Sequence, residues 1–134
     1  MAGYSPNPLF KKLGLKEGQL VKLINAPAHY PSLLGNTYAG LQVKNKAIAD
    51  IDFIHLFTNN RAELEKALPE LMQQIKKSGM IWVSWYKKAA KKPTELTEDM
   101  IRDTALACGL VDVKVCAVDD DWSGLKLVYR LKDR

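Results

Sequence analysis

The sequence predicts an α/β domain with a mostly parallel sheet, covered by helices on both faces and closed by a C-terminal antiparallel hairpin. Three observations carry this reading. The stretch "DIDFIHLFT" (50–58) is apolar at nearly every position after Asp52, as suits a central strand covered on both faces. Helical patterns alternate with apolar strands through the middle of the chain, the order that produces parallel pairing. Finally, "VDVKVCAV" (111–118) and "LKLVYRL" (125–131) alternate with period two around the short polar "DDDWSG". That is a hairpin signal.

The elements follow in order. Asn7 can cap a short helix with Pro8 at its first position, Leu9, Phe10 and Leu13 on one side, and Gly14 as its stop. Lys16 and Gly18 lead into "LVKLINAPAHY", whose residues 20–25 form a strand that runs straight into the turn Asn25-Ala26-Pro27. "AHYPSLLGN" has room for a single helical turn, and "GLQVKN" (40–45) is a weaker, peripheral strand. Only about five residues separate it from the next strand, short for a parallel crossover.

Leu64, Ala67, Leu68, Leu71, Met72 and Ile75 share one stripe of period 3.6, which predicts a helix. Asn60 and Glu63 resemble a capping box, and Ser78-Gly79 ends the run behind Lys76 and Lys77. Pro69 deletes one backbone donor inside it, so a kinked helix is expected. "MIWVSWY" (80–86) is an aromatic and β-branched strand. Thr97 caps a further helix, with Glu98 and Asp99 at its positive end, Leu96 and Ile101 as a hydrophobic staple, and Gly109 as its stop.

The chain of 134 residues reads as one domain, 1–134, long enough to bury roughly two-thirds of its unfolded surface. A hydrophobic share of 47% with 26% charged residues excludes disordered and fibrous classes. No apolar run approaches about 20 residues, and "MAGYSPNPLFKK" lacks a hydrophobic signal core, so a cytoplasmic protein with no membrane partner is expected. Cys108 and Cys116 form no metal spacing and read as reduced, partly buried thiols. The net charge of +5 permits a phosphate-bearing partner without demanding one. Its densest cluster is "YKKAAKKP", with Lys87, Lys88, Lys91 and Lys92.

The second half resembles the C-terminal half of a class I methyltransferase domain, in "IKKSGMIWVSW", "LTEDMIRDTALACGL" and "VDVKVCAVDDDWSGLKLVYRL". "LKEGQLVKLI" resembles the lead-in to that fold's first strand. More narrowly, nearly the whole chain resembles a small uncharacterised bacterial family, a domain of unknown function, in "GYSPNPLFKKLG", "WVSWYKKA" and "GLVDVKVCAVDDDWSGLKLV". The resemblance implies a reduced, Rossmann-type methyltransferase-like fold, whose first turn would hold S-adenosylmethionine on glycines. Here Ala26 and Pro27 put bulk at that turn, and Pro27 removes a donor. The ribose-holding carboxylate expected near Lys44 and Asn45 is absent, and the segment for intermediate helices and a third strand is compressed. These departures predict no cofactor and a non-catalytic binding or interaction domain on a degenerate scaffold. A small-molecule enzyme, a divergent S-adenosylmethionine-binding methyltransferase, and a polyanion or nucleic-acid binder acting through Lys87–Lys92 are the alternatives.

Ligands of such sheets bind beyond the carboxyl ends of the strands. Those ends offer Asn25, His29 and Tyr30; Thr58, Asn59 and Asn60; and Tyr86 and Lys87. The turn from Asp119 to Gly124 should reach the same edge. No catalytic residue is assigned, but His29 is the candidate general acid or base, against the plainer reading of a solvated or capping loop histidine. Asn25, Tyr30, Asn59, Trp85, Lys87, Lys88 and Trp122 are the ligand-binding candidates. His55, mid-strand, reads as a packed core histidine. Trp82 and Tyr86 should share one face of their strand and Trp85 the other, packing the core at about 1.5–3 kcal/mol each. Trp85 or Tyr86, at the strand end, could instead stack a ring-bearing ligand. Trp122 is placed in a turn, and Asp119, Asp120 and Asp121 form a solvated acidic turn with no metal. The expected partner is a small molecule, a phosphate-bearing ligand or a protein. The chain would be a monomer, or a homodimer joined by edge strands such as 40–45.

Overall fold

A computed structural model describes residues 8–134. Its secondary structure runs α1 (Leu9–Leu13), β1 (Leu20–Ile24), α2 (Tyr30–Leu34), β2 (Gln42–Val43), β3 (Ile51–Phe57), α3 (Arg61–Met72), β4 (Ile75–Tyr86), α4 (Glu98–Cys108), β5 (Leu110–Ala117) and β6 (Trp122–Tyr129). The strands form one sheet in the order β2-β1-β3-β4-β6-β5. β2, β1, β3 and β4 run parallel, whereas β6 pairs antiparallel with β4 and β5. The mostly parallel sheet with a terminal hairpin is therefore what forms.

The central strand is as buried as its composition demands. β3 places Ile54 and Leu56 in one apolar cluster, with α3 and α4, and Phe53 and Phe57 in the other, with α1 and α2. The stripe Leu64, Leu68 and Leu71 and the residues Ile101 and Ala105 cover the first face. Leu13, Tyr30 and Leu34 cover the second. Trp82 belongs to this second cluster, where its indole N–H donates to the Leu13 carbonyl at 2.9 Å. Trp85 belongs to the first.

Asn60 and Thr97 cap their helices as expected, their side chains accepting from the N–H groups of Glu63 and Met100. The box at Asn60 closes on one side only. Its own N–H is taken by the Thr58 hydroxyl, while the Glu63 carboxylate accepts from Asn25. At α1 the cap is Pro8, and Asn7 lies outside the described residues. Gly14 ends that helix in the left-handed conformation, φ +82°.

Three expectations need correction. The stripe from Leu64 does not stay helical to Ile75. α3 passes through Pro69 as one helix but stops at Met72, and Ile75–Gly79 already belongs to β4. Between Ile51↔Ile75 and Phe53↔Met80, β4 spends five residues against two on β3. Gly79 sits in this irregularity, where a Cβ would stand 2.9 Å from the Asp52 carbonyl oxygen. The helix signal persisted because an inward Ile75 serves a strand as well as a helix. Secondly, "AHYPSLLGN" holds α2 and then a 3-10 stretch, Gly35–Gly40, more than one turn. Thirdly, Trp122 opens β6 rather than standing in the turn, opposite Tyr86.

β2 explains how a short connection can reach β3. It has two residues, and Val43 pairs with Val21, which on its other side pairs with Phe53. β2 thus stops at the level where β3 is beginning, so the chain has little distance to return. The sheet's edges are this short strand and β5, which is irregular between Asp112 and Lys114. Both features blunt an edge against pairing with another chain.

One polar chain crosses the second face. The Tyr30 hydroxyl lies 2.8 Å from His55 Nδ1, and His55 Nε2 lies 2.7 Å from the Ser84 hydroxyl. All three are buried. A neutral imidazole suits this, with one ring nitrogen donating and the other accepting. His55 is therefore the packed core histidine the sequence indicated. Burial pushes its pKa down to about 3 from 6.5, and burial pushes the Tyr30 hydroxyl up.

The pH dependence follows. Unfolded chains take a proton on His55 below 6.5 while folded ones do not until about 3, so folding stability is full above 6.5 and falls across that window. Denaturant unfolding should lose roughly 3 kcal/mol between pH 7.5 and 4.5, at about 1.4 kcal/mol per pH unit below 6.5. His55→Gln should be less stable overall and nearly flat over the same range.

Candidate ligand-binding crevice

Where β1 ends, the chain must turn sharply, and Asn25 takes a left-handed conformation with φ +59°. Asparagine tolerates this region better than most side chains. Its amide also uses the position. Asn25 Nδ2 donates to the Phe57 carbonyl at 3.2 Å and to Glu63 Oε1 at 3.1 Å, joining the β1 turn to the end of β3 and the first turn of α3.

At the end of β3, Thr58 N–H donates to the Ser84 carbonyl, extending the ladder by one residue. Asn59 then bridges three segments. Its Oδ1 accepts from Tyr86 N–H at 2.7 Å, and its carbonyl accepts from Glu95 N–H at 2.9 Å. The Glu95 carboxylate in turn accepts from Arg61 N–H at 2.8 Å. These bonds fold the segment Pro93–Glu95 back over the strand ends. A crevice of about 640 Å³ results, lined by Asn25, Asn59, Asn60, Glu63, Tyr86, Thr94, Glu95 and Trp122 among others. It lies beyond the carboxyl ends of β1, β3 and β4. β1 connects to β2 on one side and its other neighbour, β3, connects onward to β4, so this is the topological switch point of the sheet. Tyr86 and Trp122 form one wall, ring centroids 4.4 Å apart and tilted by 40°.

The hairpin turn is held at the same edge. Asp119 Oδ1 accepts from the N–H groups of Asp121 and Trp122, both at 2.8 Å, and Asp119 Oδ2 lies 2.7 Å from His29 Nε2. Burial pushes the Asp119 carboxyl up, but the hydrogen bonds from His29 and from the Trp122 and Asp121 N–H groups outweigh it and hold it below the usual range. Lys87 Nζ donates to the Asp119 carbonyl at 2.7 Å, and Lys92 pairs with Asp121 at 2.8 Å. Among the described residues no cluster of His, Cys, Asp and Glu could hold a metal ion, and no helix is long and apolar enough to cross a membrane.

A family model described as "Protein of unknown function (DUF3052)" matches residues 38–131, from just before β2 to just past β6. The chain belongs to the DUF3052 family. No curated protein matches it in sequence. Solved structures show the fold of this DUF3052 chain to be methyltransferase-like. A SAM-dependent methyltransferase from Aquifex aeolicus superposes with a TM-score of 0.64 at 18% identity, over 89% of this chain and 86% of that one. A putative type 11 methyltransferase from Sulfolobus solfataricus gives 0.62 at 16% identity, over 91% and 89%. A precorrin-6y C5,15-methyltransferase from Geobacter metallireducens GS-15 gives 0.60 at 10% identity, over 96% and 94%.

β1 continues for three residues past Val21, the partner of the last residue of β2. Past β2 the chain stays beside β1, with Lys44 N–H donating to the Val21 carbonyl at 2.9 Å. Asn45 accepts from Leu23 N–H at 3.0 Å. Of the turn Asn25–His29, only Asn25 lines the crevice.

The predicted site residues divide into three groups. Asn25, Asn59 and Trp122 meet in the crevice. Trp85, Lys87 and Lys88 line a neighbouring groove. Tyr30 is only 1% exposed and belongs to the core, because α2 lays its ring across β3 toward His55. His29 is bonded to Asp119 and lines neither cavity. It does not share a pocket with Asn59 and Lys87. Sequence reasoning missed Glu63, Thr94 and Glu95. Glu63 was absorbed into the cap, and only a folded chain brings Glu95 against Asn59.

Replacing Asn25 tests how this edge is built. Asn25→Ala should cost about 1–3 kcal/mol in denaturant unfolding, since it loses two hydrogen bonds and keeps a strained φ. Asn25→Gly should cost less, because it relieves the strain.

Proposed function

We propose that this protein is a non-catalytic binding module on a methyltransferase-like scaffold. It takes a small molecule in the crevice beyond β1, β3 and β4 and makes no use of S-adenosylmethionine. One observation carries the reading. The crevice at the switch point is built by dedicated side chains, while the neighbouring strand that would complete a cofactor site stops after two residues. Two features support the non-catalytic part. The candidate acid or base, His29, is held by Asp119 outside the crevice. The amides of Asn25, Asn59 and Asn60 each spend an atom on holding the fold together.

A divergent S-adenosylmethionine-dependent enzyme is the second reading, favoured by the methyltransferases among the structural neighbours. Thermal unfolding distinguishes the two. A ligand at about a hundred times its Kd raises the midpoint of a domain this size by roughly 10 °C. The full chain should show no saturable rise with S-adenosylmethionine or S-adenosylhomocysteine at millimolar concentration. A saturable rise would contradict the proposal.

A further inference from the structure

Beside the crevice, a second groove of about 710 Å³ runs between the end of β4 and the start of α4. The two cavities share a wall made of Tyr86, Pro93 and Thr94. Their chemistry differs. The crevice offers amides, the carboxylates of Glu63 and Glu95, and the Tyr86–Trp122 pair. The groove has an apolar floor of Trp85 and Leu96 and three lysines.

The state of each lysine matters. Lys92 is paired with the Asp121 carboxylate, and its Nζ lies 5.3 Å from the centroid of the Tyr86 ring. Lys87 donates to a carbonyl, a neutral acceptor, so that bond leaves its charge in place. Lys88 is exposed, and among the described residues its ammonium has no partner. The carboxylate lining this groove, Glu98, is already held by Arg102. The groove is therefore cationic, and it adjoins an aromatic wall.

We propose that crevice and groove form one composite site for a ring-bearing organic phosphate, with the ring against Tyr86 and Trp122 and the phosphoryl group near Lys87 and Lys88. This rests on the reading that the crevice binds a small molecule. Aromatic faces accept rings, and ammonium groups act as point charges for phosphoryl oxygens. A small phosphate fits better than a nucleic-acid strand. Asp121 stands beside Lys92 and Glu95 lines the adjoining crevice, so a longer backbone would meet carboxylates of like charge.

Calorimetric titration of the full chain with 1-naphthyl phosphate and with neutral 1-naphthol tests this. The phosphate should bind about tenfold tighter at low salt, the worth of one charge-assisted contact. Lys88→Gln should remove most of that advantage without moving the melting midpoint, while Lys132→Gln, on the exposed C-terminal segment, should leave it intact. Equal affinity for the two compounds, or an unchanged advantage in Lys88→Gln, overturns the phosphate assignment and leaves the crevice reading standing. Absence of binding by both overturns the composite site, and the response to S-adenosylmethionine still decides the crevice reading separately. A short oligothymidylate that binds tighter than the naphthyl phosphate, with a steep salt slope, overturns it in favour of nucleic acid.

Discussion

Past Val21 and its partner Val43, β1 runs on without a strand on its β2 side. The next backbone groups on that side are served singly. Lys44 N–H donates to the Val21 carbonyl, and Leu23 N–H is taken by the Asn45 side chain. Backbone groups at a sheet edge must find partners or water, and here a side chain fills in for the strand that stopped. On the proposed function, this early stop limits what the carboxyl edge can hold. It removes the platform on one side of the β1 turn and leaves the opposite side, over β3 and β4, as the built crevice.

The turn itself is built without a glycine. A glycine would keep its backbone bare for a ligand to approach. Asn25 instead adopts the same left-handed conformation with a side chain, and that side chain is bonded to Phe57 and Glu63. The position has become a structural joint between β1, β3 and α3. Further along the edge, Asn59 does similar work for β4 and the segment before α4. Side-chain amides thus hold together the rim around an aromatic wall.

Much of this was legible in the residues. β3 declared itself by an apolar run, the two main helices by their caps and stripes, and the hairpin by its alternation. The crossover that looked too short is explained by β2 having only two residues. What the sequence hid were places where one pattern serves two structures. Ile75 continues a helical stripe and equally begins a strand. Trp122, beside three aspartates, reads as a turn residue until pairing with Tyr86 draws it into β6. At the site, Asn25 and Asn59 were legible from their positions at strand ends. Tyr30 looked the same by that criterion. Only the packing of α2 over β3 carries it into the core, and no local signal reports that. Glu95 was hidden because its contact with Asn59 joins segments far apart in the chain.

Central to the proposed function is that the β1 turn and the end of β2 do not form a nucleoside site. A nitrogen-edited amide NMR titration with S-adenosylhomocysteine reads those residues one by one. The account predicts that the amides of Asn25, Ala26, Ala28, His29, Lys44 and Asn45 show no saturable movement. Saturable shifts confined to that set would contradict it.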